Sequence, residues 1–252
     1  MTVAMDPRLR ARRAEVARRR SWRRIAAAGV IGVAVVVGAA AWPLLHSRLL
    51  AARVITVTGA RHTAERAILA ASGLEGHPPM IDVNAGQVAR RIEALPWVAT
   101  ATVSRRWPDG VHIAVTERSP VAVAPRAAGG WAVIDATGRI LADVDTAPAT
   151  LPRLDGVSTR GVPGRWLPPA SRPALAVAAA LPVALRAAVR GVAVEGGAVS
   201  LDLAGGVTAQ IGAPSQLRAK FEDIAAILAG AVLPPHAVID VGVPQSPAVS
   251  AS

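Results

Sequence analysis

The sequence predicts an α+β protein with one membrane-spanning helix near its N-terminus, a small β-α-α-β-β domain, and a larger β-rich domain with flanking helices. Three observations support this prediction. An uninterrupted apolar segment follows a strongly basic head. Short segments with the periodicity of strands and helices then follow in the order strand, helix, helix, strand, strand. Beyond residue 120 the chain consists mainly of short apolar segments separated by Gly and Pro.

The apolar segment covers residues 25–45 and contains no charged side chain. As a helix it would extend about 31 Å, which matches the hydrocarbon thickness of a bilayer. The head, residues 1–24, holds nine arginines against two acidic residues, so the positive-inside rule predicts a cytoplasmic head and extracytoplasmic domains. A cleaved signal peptide is the alternative, because Ala39-Ala40-Ala41 forms a small-residue cleavage site. The segment is longer than a typical signal-peptide core.

The composition restricts the classes of function. The net charge of +11 is concentrated in the basic head, which favours a topology signal that contacts anionic lipid over a nucleic-acid surface. The chain has no cysteine, which excludes a disulfide framework, a thiolate metal site and a thiol nucleophile. We therefore predict no nucleic-acid partner.

The small domain is predicted over residues 54–119, after a connector at residues 46–53. Its first strand, Val54–Val57, alternates in polarity and ends before a Thr-Gly pair. Thr63 is predicted to cap the first helix, which covers residues 64–72 and is followed by a glycine.

A second helix and a hairpin complete the small domain. Asn84 and Gln87 have the spacing of a capping box and predict the start of the second helix. Ala99–Arg105 and Val111–Thr116 alternate in polarity, and the sequence between them, W-P-D-G, contains the residues that a chain reversal requires.

The larger domain is predicted over residues 120–247. Residues 145–169 are rich in proline and are predicted to form loops. Ser171 is predicted to cap a helix that Pro182 interrupts, and Ser215–Ala229 has the pattern of an amphipathic helix. Strands are predicted at Val121–Ala124, Trp131–Ile134, Arg139–Val144, Val192–Glu195, Val199–Leu203, Val207–Ile211 and Val238–Val243.

Motifs of catalysis are missing from the sequence. It contains no G-x-S-x-G elbow, no S-x-x-K and no H-E-x-x-H, and its five histidines are scattered. Glu222 and Asp223 are adjacent, but neighbours on a helix point about 100° apart. We therefore predict no enzymatic activity, no metal and no cofactor. A sheet edge near the C-terminus instead suggests a binding function, because an edge can accept a strand from a partner.

The local motifs resemble those of the FtsQ (DivIB) family of bacterial cell-division proteins. The motifs that resemble the FtsQ type of POTRA domain are V-I-T-V-T-G at 54–59, L-P-W-V at 95–98, R-R-W-P at 105–108, V-H-I at 111–113 and E-R-S-P-V-A at 117–122. Those that resemble the family's second domain are W-A-V-I-D-A-T-G at 131–138, Lys220 in the last helix, and V-I-D-V at 238–241.

The resemblance implies a non-enzymatic scaffold of the division machinery at the septum. Members of the family span the cell membrane once, bind FtsB (DivIC) and FtsL, and help to control septal peptidoglycan synthesis. Two alternatives stay open, a POTRA-bearing secretion or envelope-assembly factor and a membrane-anchored cell-wall hydrolase.

In the family, a partner adds a strand beside the last strand of the second domain. The resemblance implies that the C-terminal edge segment, residues 248–252, and the preceding strand serve this purpose here. The implied partner-binding residues are Val238, Ile239, Asp240, Val241, Gly242, Val243, Ala248, Val249, Ser250, Ala251 and Ser252.

Overall fold

A computed structural model describes residues 28–43, 45–47, 50–230, 233–243 and 246–250. The basic head lies outside the described residues. The chain divides into two compact units. Unit 1 takes its described residues from Met1–Thr56, Leu74–Ala85 and Ser104–His112, and unit 2 from Val57–Gly73, Gly86–Val103 and Ile113–Ser252.

The N-terminal helix of unit 1, α1, occupies residues 28–43. Its large apolar side chains, including Val30 and Val36, are 61–70% exposed. Residues 25–27 and 44 of the predicted span lie outside the described residues. Within the described residues, none of the helices has both the length and the apolar character required for a membrane crossing.

The small domain contains a three-stranded sheet and two helices. Its strands are β1 (Val54–Thr58), β2 (Val98–Arg106) and β3 (Gly110–Glu117), and the order across the sheet is β1-β3-β2. The helices α2 (Glu65–Ser72) and α3 (Ala85–Glu93) lie between β1 and β2 in the chain. The predicted β-α-α-β-β order is therefore confirmed. Apolar residues at every second position of β3 and at helical spacing in α3 are buried: Val88, Ile92, Val111, Ile113 and Val115.

The predicted cap of α2 is wrong by one residue. Ala64 occupies the N-cap position and no side chain caps the helix. The amide of Thr63 instead donates to Glu117 Oε1 at 2.8 Å, so the residue is held by a carboxylate from β3. The predicted C-terminal glycine, Gly73, does adopt a left-handed conformation with φ of +71°. Helix α3 begins directly after Asn84, where the capping box predicted it.

The large domain, which belongs to unit 2, is built on a nine-stranded sheet. The order across this sheet is β12-β11-β10-β9-β8-β7-β4-β5-β6. The strands are β4 (Pro120–Pro125), β5 (Trp131–Asp135), β6 (Ile140–Val144), β7 (Arg153–Asp155), β8 (Val189–Glu195), β9 (Ala198–Leu203), β10 (Thr208–Gly212), β11 (Val238–Asp240) and β12 (Ala248–Ser250).

Most of the predicted strands are confirmed, and β7 was missed. It has three residues within the predicted loop 145–169, and it forms parallel pairs with β4 and β8 on its two sides. Its central residue, Leu154, is fully buried. Three residues are too few to show the alternation by which a strand is recognised in a sequence. The conformation of β7 is determined by its pairing with strands on both sides.

Helices α4 (Arg172–Ala180), α5 (Val183–Arg186) and α6 (Leu217–Gly230) accompany the sheet, and α4 and α6 pack on one of its faces. Ser171 occupies the N-cap position of α4, as predicted, but its side chain makes no capping hydrogen bond. Ser171 ends a 3-10 turn, and its hydroxyl donates backward to the carbonyl of Pro168 at 2.7 Å. The opposite face of the sheet carries a smaller apolar cluster of Val123, Val133 and Leu141.

Candidate protein-interaction edge

The last described strand, β12, forms one edge of the nine-stranded sheet. It pairs antiparallel with β11, with Val238 opposite Ser250, Ile239 opposite Val249 and Asp240 opposite Ala248. Strand β11 in turn pairs parallel with β10. The structure thus brings together the two segments that sequence reasoning named as partner-binding, as neighbouring strands.

The bounds of these segments differ from the prediction. Strand β11 ends at Asp240 instead of continuing to Val243, because the amide of Gly242 donates to Asp240 Oδ1 at 2.8 Å and turns the chain. Val241 is buried, whereas Gly242 and Val243 are exposed beyond the strand. Of the C-terminal segment, residues 248–250 form β12, while Ala251 and Ser252 lie outside the described residues.

The two outermost strands differ in burial. All three residues of β12 are exposed, and Val249 is 50% exposed. Its partner across the ladder, Ile239, is fully buried and belongs to the core. In the described part of the chain, β11 is the one strand that pairs with β12. The outer backbone groups of β12 therefore lie along a sheet edge, where a further strand can bind.

A buried lysine joins helix α6 to the sheet two strands away from this edge. Lys220 of α6 is 1% exposed, and its Nζ donates to the carbonyl oxygens of Ile211 and Ala213 at 2.7 and 2.9 Å. Ile211 lies in β10, the strand that pairs with β11, and Ala213 directly follows β10. Because a buried ammonium needs hydrogen-bond partners, these bonds fix α6 on β10. The family resemblance pointed to Lys220, but the amphipathic pattern of the helix did not predict its burial.

One of the two adjacent carboxylates of α6 is held in an ion pair. Glu222 is exposed and forms an ion pair with Arg218 at 2.9 Å, one helical turn earlier. The described residues contain no group of three side chains that could hold a metal ion.

A cavity of about 640 Å³ lies elsewhere in unit 2, and charged groups of both signs line it. Among them, burial raises the pKa of Asp155, and the charge of Asp202 raises it further. The lining contains two arginines, Arg153 and Arg190, and no His, Ser, Thr or Lys. The lining therefore offers no hydroxyl, amine or imidazole nucleophile, although it brings two carboxylates, Asp155 and Asp202, together.

A buried polar cluster lies where the small domain meets the large one in the chain, within unit 2. Arg118 Nη1 donates to Asp135 Oδ2 at 2.7 Å, and Arg118 Nε donates to the carbonyl of Val98 at 3.0 Å. Arg139 Nη2 donates to the carbonyl of Ala94, just after α3, at 2.7 Å. Burial alone would raise the pKa of Asp135, but hydrogen bonds from Arg118, Thr137 and Arg139 outweigh it and hold the pKa below its ordinary value.

Comparison with known proteins gives two family matches in chain order. Residues 50–118 match the POTRA domain, FtsQ-type, and residues 122–241 match the family described as cell division protein FtsQ/DivIB, C-terminal.

Two FtsQ proteins of Streptomyces are similar to most of the chain. The chain is 31% identical to the cell division protein FtsQ of Streptomyces bingchenggensis over 215 residues, which cover 84% of this chain and 80% of that protein. It is 34% identical to the FtsQ of Streptomyces griseus over 181 residues, covering 69% and 84%. A solved structure of the major extracytoplasmic domain of DivIB from Geobacillus stearothermophilus has 18% identity and a TM-score of 0.33, covering 46% of this chain and 99% of that one. The two family matches and the coverage of the Streptomyces proteins show that the chain belongs to the FtsQ/DivIB family of bacterial cell-division proteins.

Proposed function

We propose that this protein is a membrane-anchored scaffold of the divisome that binds FtsB/DivIC-like and FtsL-like partners by strand addition at β12. Through these partners it helps to control septal peptidoglycan synthesis. The observation that carries the proposal is the exposed edge strand of a nine-stranded sheet, at the segment that the family resemblance implies for partner binding. The proposed contact residues are those of β11, β12 and their flanks, 238–243 and 248–252.

Strand addition fits the chemistry of this edge. A partner strand would pair its backbone with the outer groups of β12 and place alternate side chains beside Val249. Each net hydrogen bond contributes about 1 kcal/mol, so a ladder of three residues is weak alone. Tethering of both chains to one membrane raises their effective concentration, and a short ladder then suffices.

The anchor in this proposal is the segment 25–45, with the basic head in the cytoplasm and the two domains outside. The excess of arginine before the segment and the exposed apolar side chains of α1 support it. We further propose that residues 46–53 connect the anchor to a POTRA domain over residues 54–119, and that the β domain follows over residues 120–247.

We also infer that the protein has no catalytic role. The inference is based on the missing catalytic motifs and on the lack of a hydroxyl, amine or imidazole nucleophile in the lining of the 640 Å³ cavity. A peptidoglycan zymogram of the purified chain should show no clearing. A cleared band that a single point substitution abolishes would overturn this inference and favour the cell-wall hydrolase.

The binding proposal is tested with a charge placed on the edge. Val249→Asp puts a carboxylate where the partner strand would pack, and the position is exposed enough for the fold to tolerate it. The matched control is Val183→Asp on α5, where the side chain is 80% exposed. We expect Val249→Asp to weaken binding of an FtsB-like extracytoplasmic domain by about tenfold or more, equivalent to about 1.4 kcal/mol. Equal affinities of the two variants would refute strand addition at β12.

A further inference from the structure

The hairpin between β2 and β3 carries an exposed tryptophan. Trp107 lies at the tip of this hairpin and is 53% exposed. Arg105 and Arg106, which precede it, are also exposed. Tryptophan is usually well buried in soluble domains, so an exposed one beside two cations indicates a contact surface.

The hairpin tip lies at the end of the small sheet where the chain arrives from α1. The amides of Arg53 and Val54 both donate to the carbonyl of Asp109, at 2.9 and 3.1 Å. At the other end of β1, Gly59 lies against β3, because a Cβ on this glycine would collide with the carbonyl of Val115. Strand β1 therefore runs in the same direction as β3, and the start of β1 lies beside the hairpin tip.

A second loop of unit 1 lies at this end as well. The amide of Met80 donates to the carbonyl of Leu50 at 2.7 Å, and the amide of Ala52 donates to that of Pro78 at 2.9 Å. Next to this loop, His46 Nε2 lies 3.8 Å from Asp82 Oδ1. Ile81 is exposed between these contacts.

The anchor is close to this surface along the chain. Seven residues lead from His46 to Arg53, and even a fully extended chain spans at most about 25 Å over that length. The loop contacts at positions 46, 50 and 52 shorten the path further. The hairpin tip therefore lies within about 25 Å of His46, which follows α1 in the chain.

We propose that this end of unit 1 docks on the anionic phospholipid surface of the bilayer that holds the anchor. The docking surface consists of Arg53, Val54, Ile81, Arg105, Arg106 and Trp107. Tryptophan prefers the depth of the lipid headgroups because its ring is apolar and its N–H needs a polar partner. The arginines pair with lipid phosphates. This proposal rests on the proposed membrane anchor and is independent of strand addition at β12.

Charge and position favour lipid over a protein partner as the occupant. The surface carries three exposed arginines. Of the carboxylates on the neighbouring segments, Asp82 faces His46 and Asp109 is half-buried in the turn. Glu75 is exposed, so the arginines are matched only in part. The surface also adjoins the anchor. Docking would hold the small domain against the bilayer at two points, the end of α1 and the hairpin tip.

The test uses the absence of cysteine from the chain. A spin label is placed on Ser104→Cys, an exposed position of the same hairpin, in the full-length chain reconstituted in phosphatidylcholine vesicles containing phosphatidylglycerol. Identical labels at Val183→Cys in unit 2 and at Val33→Cys in α1 serve as controls. Collision of each label with a water-soluble nickel chelate measures its shielding from water.

We expect the label at position 104 to collide with the chelate several-fold less than the label at 183. Adding Trp107→Ser to the Ser104→Cys chain should return the collision rate toward that of position 183. Vesicles of phosphatidylcholine alone should give weaker shielding. Equal collision rates at 104 and 183, with the label at 33 buried in hydrocarbon, would overturn the docking while leaving the anchor intact.

Three other outcomes also contradict the proposal. A water-exposed label at position 33 refutes the anchor and the docking together. Shielding at 104 that rises with the protein-to-lipid ratio assigns the surface to a second copy of the chain. Equal shielding in vesicles with and without phosphatidylglycerol would show that the arginines do not bind anionic lipid.

Discussion

The two edges of the nine-stranded sheet differ in how they are protected. At the β6 edge, the amide of Ile140 donates to the carbonyl of Arg165 at 2.8 Å. The carbonyl of Ile140 accepts from the amide of Gly164, also at 2.8 Å. Asp143 adds an ion pair with Arg126 at 3.1 Å. At the β12 edge, every residue of the strand is exposed. We call these the guarded edge and the open edge.

The difference shows where this fold leaves room for a partner. Sheet proteins cover or charge their edges to avoid unwanted pairing, and the guarded edge follows that rule with a loop and charges. The open edge departs from it at the segment that we propose for partner binding. An edge kept open in this way is expected to carry little of the fold's stability.

Substitution of Asp135, in the strand next to the guarded edge, should have the largest effect on stability. Asp135 is buried at the end of β5 and accepts hydrogen bonds from Arg118, Thr137 and the amide of Arg139. Asp135→Ala leaves these donors, including a charged one, without their acceptor. We expect the free energy of unfolding in urea to fall by about 3–5 kcal/mol. Asp143→Ala, at a partly exposed pair, should cost less than about 1 kcal/mol, and equal losses would contradict the account.

Acid should weaken the contact between the end of β3 and the segment before α2. Burial opposes ionisation of Glu117, but hydrogen bonds from the amides of His62 and Thr63 and from the His62 ring outweigh it and lower its pKa to about 2. The contribution of Glu117 is therefore complete above its ordinary pKa of about 4.5 and is lost as the pH falls toward 2. We expect up to about 3 kcal/mol of stability to disappear over this range. Glu117→Gln should remove that part of the pH dependence, and an unchanged pH profile would contradict the assignment.

Substitution of Lys220, which joins α6 to β10, should have the next largest effect on the free energy of unfolding. Lys220→Met keeps most of the side-chain volume but leaves the carbonyls of Ile211 and Ala213 without their donor. We expect a loss of about 2 kcal/mol in urea unfolding and weaker partner binding, because β10 carries β11 and β12. Arg218→Met, on the exposed face of the same helix, removes only a surface ion pair and should cost far less stability than Lys220→Met. A Lys220→Met protein as stable as the Arg218→Met control would show that the lysine is not needed to fix α6.

The smallest effect on stability should occur at the open edge itself. Val249→Asp changes a half-exposed side chain on a strand that has one neighbour. We expect its free energy of unfolding to change by less than about 0.5 kcal/mol, while its partner affinity falls. A large destabilisation would mean that β12 is an integral part of the core.

The sequence predicted the elements whose pattern is local. The β2–β3 hairpin alternates over enough residues to be read directly, and Gly73 ends α2 because few other residues adopt its backbone conformation. Strand β7 could not be predicted in this way, since its conformation depends on strands that are distant in the sequence. The cap of α2 was missed because Thr63 is held by Glu117, which lies 54 residues farther along the chain.

The candidate site was predicted in part. Family resemblance named the two C-terminal segments, and the structure pairs them as β11 and β12. Their local pattern gave no sign that Val249 would be exposed while Ile239 is buried. The burial of Lys220 was also missed, because a lysine within an amphipathic pattern is ordinarily assigned to the solvent face. Its acceptors, the carbonyls of Ile211 and Ala213 at the C-terminal end of β10, are visible only in the structure.

Site-specific crosslinking in dividing cells tests the central claim most directly. A photoreactive amino acid is placed at Val249 on the open edge and, as the matched position, at Asp143 on the guarded edge. We predict a crosslink to an FtsB-like partner from position 249 and none from position 143. Crosslinks from position 143, or an absence of crosslinks from 249 while the labelled protein still supports division, would contradict partner binding at the open edge.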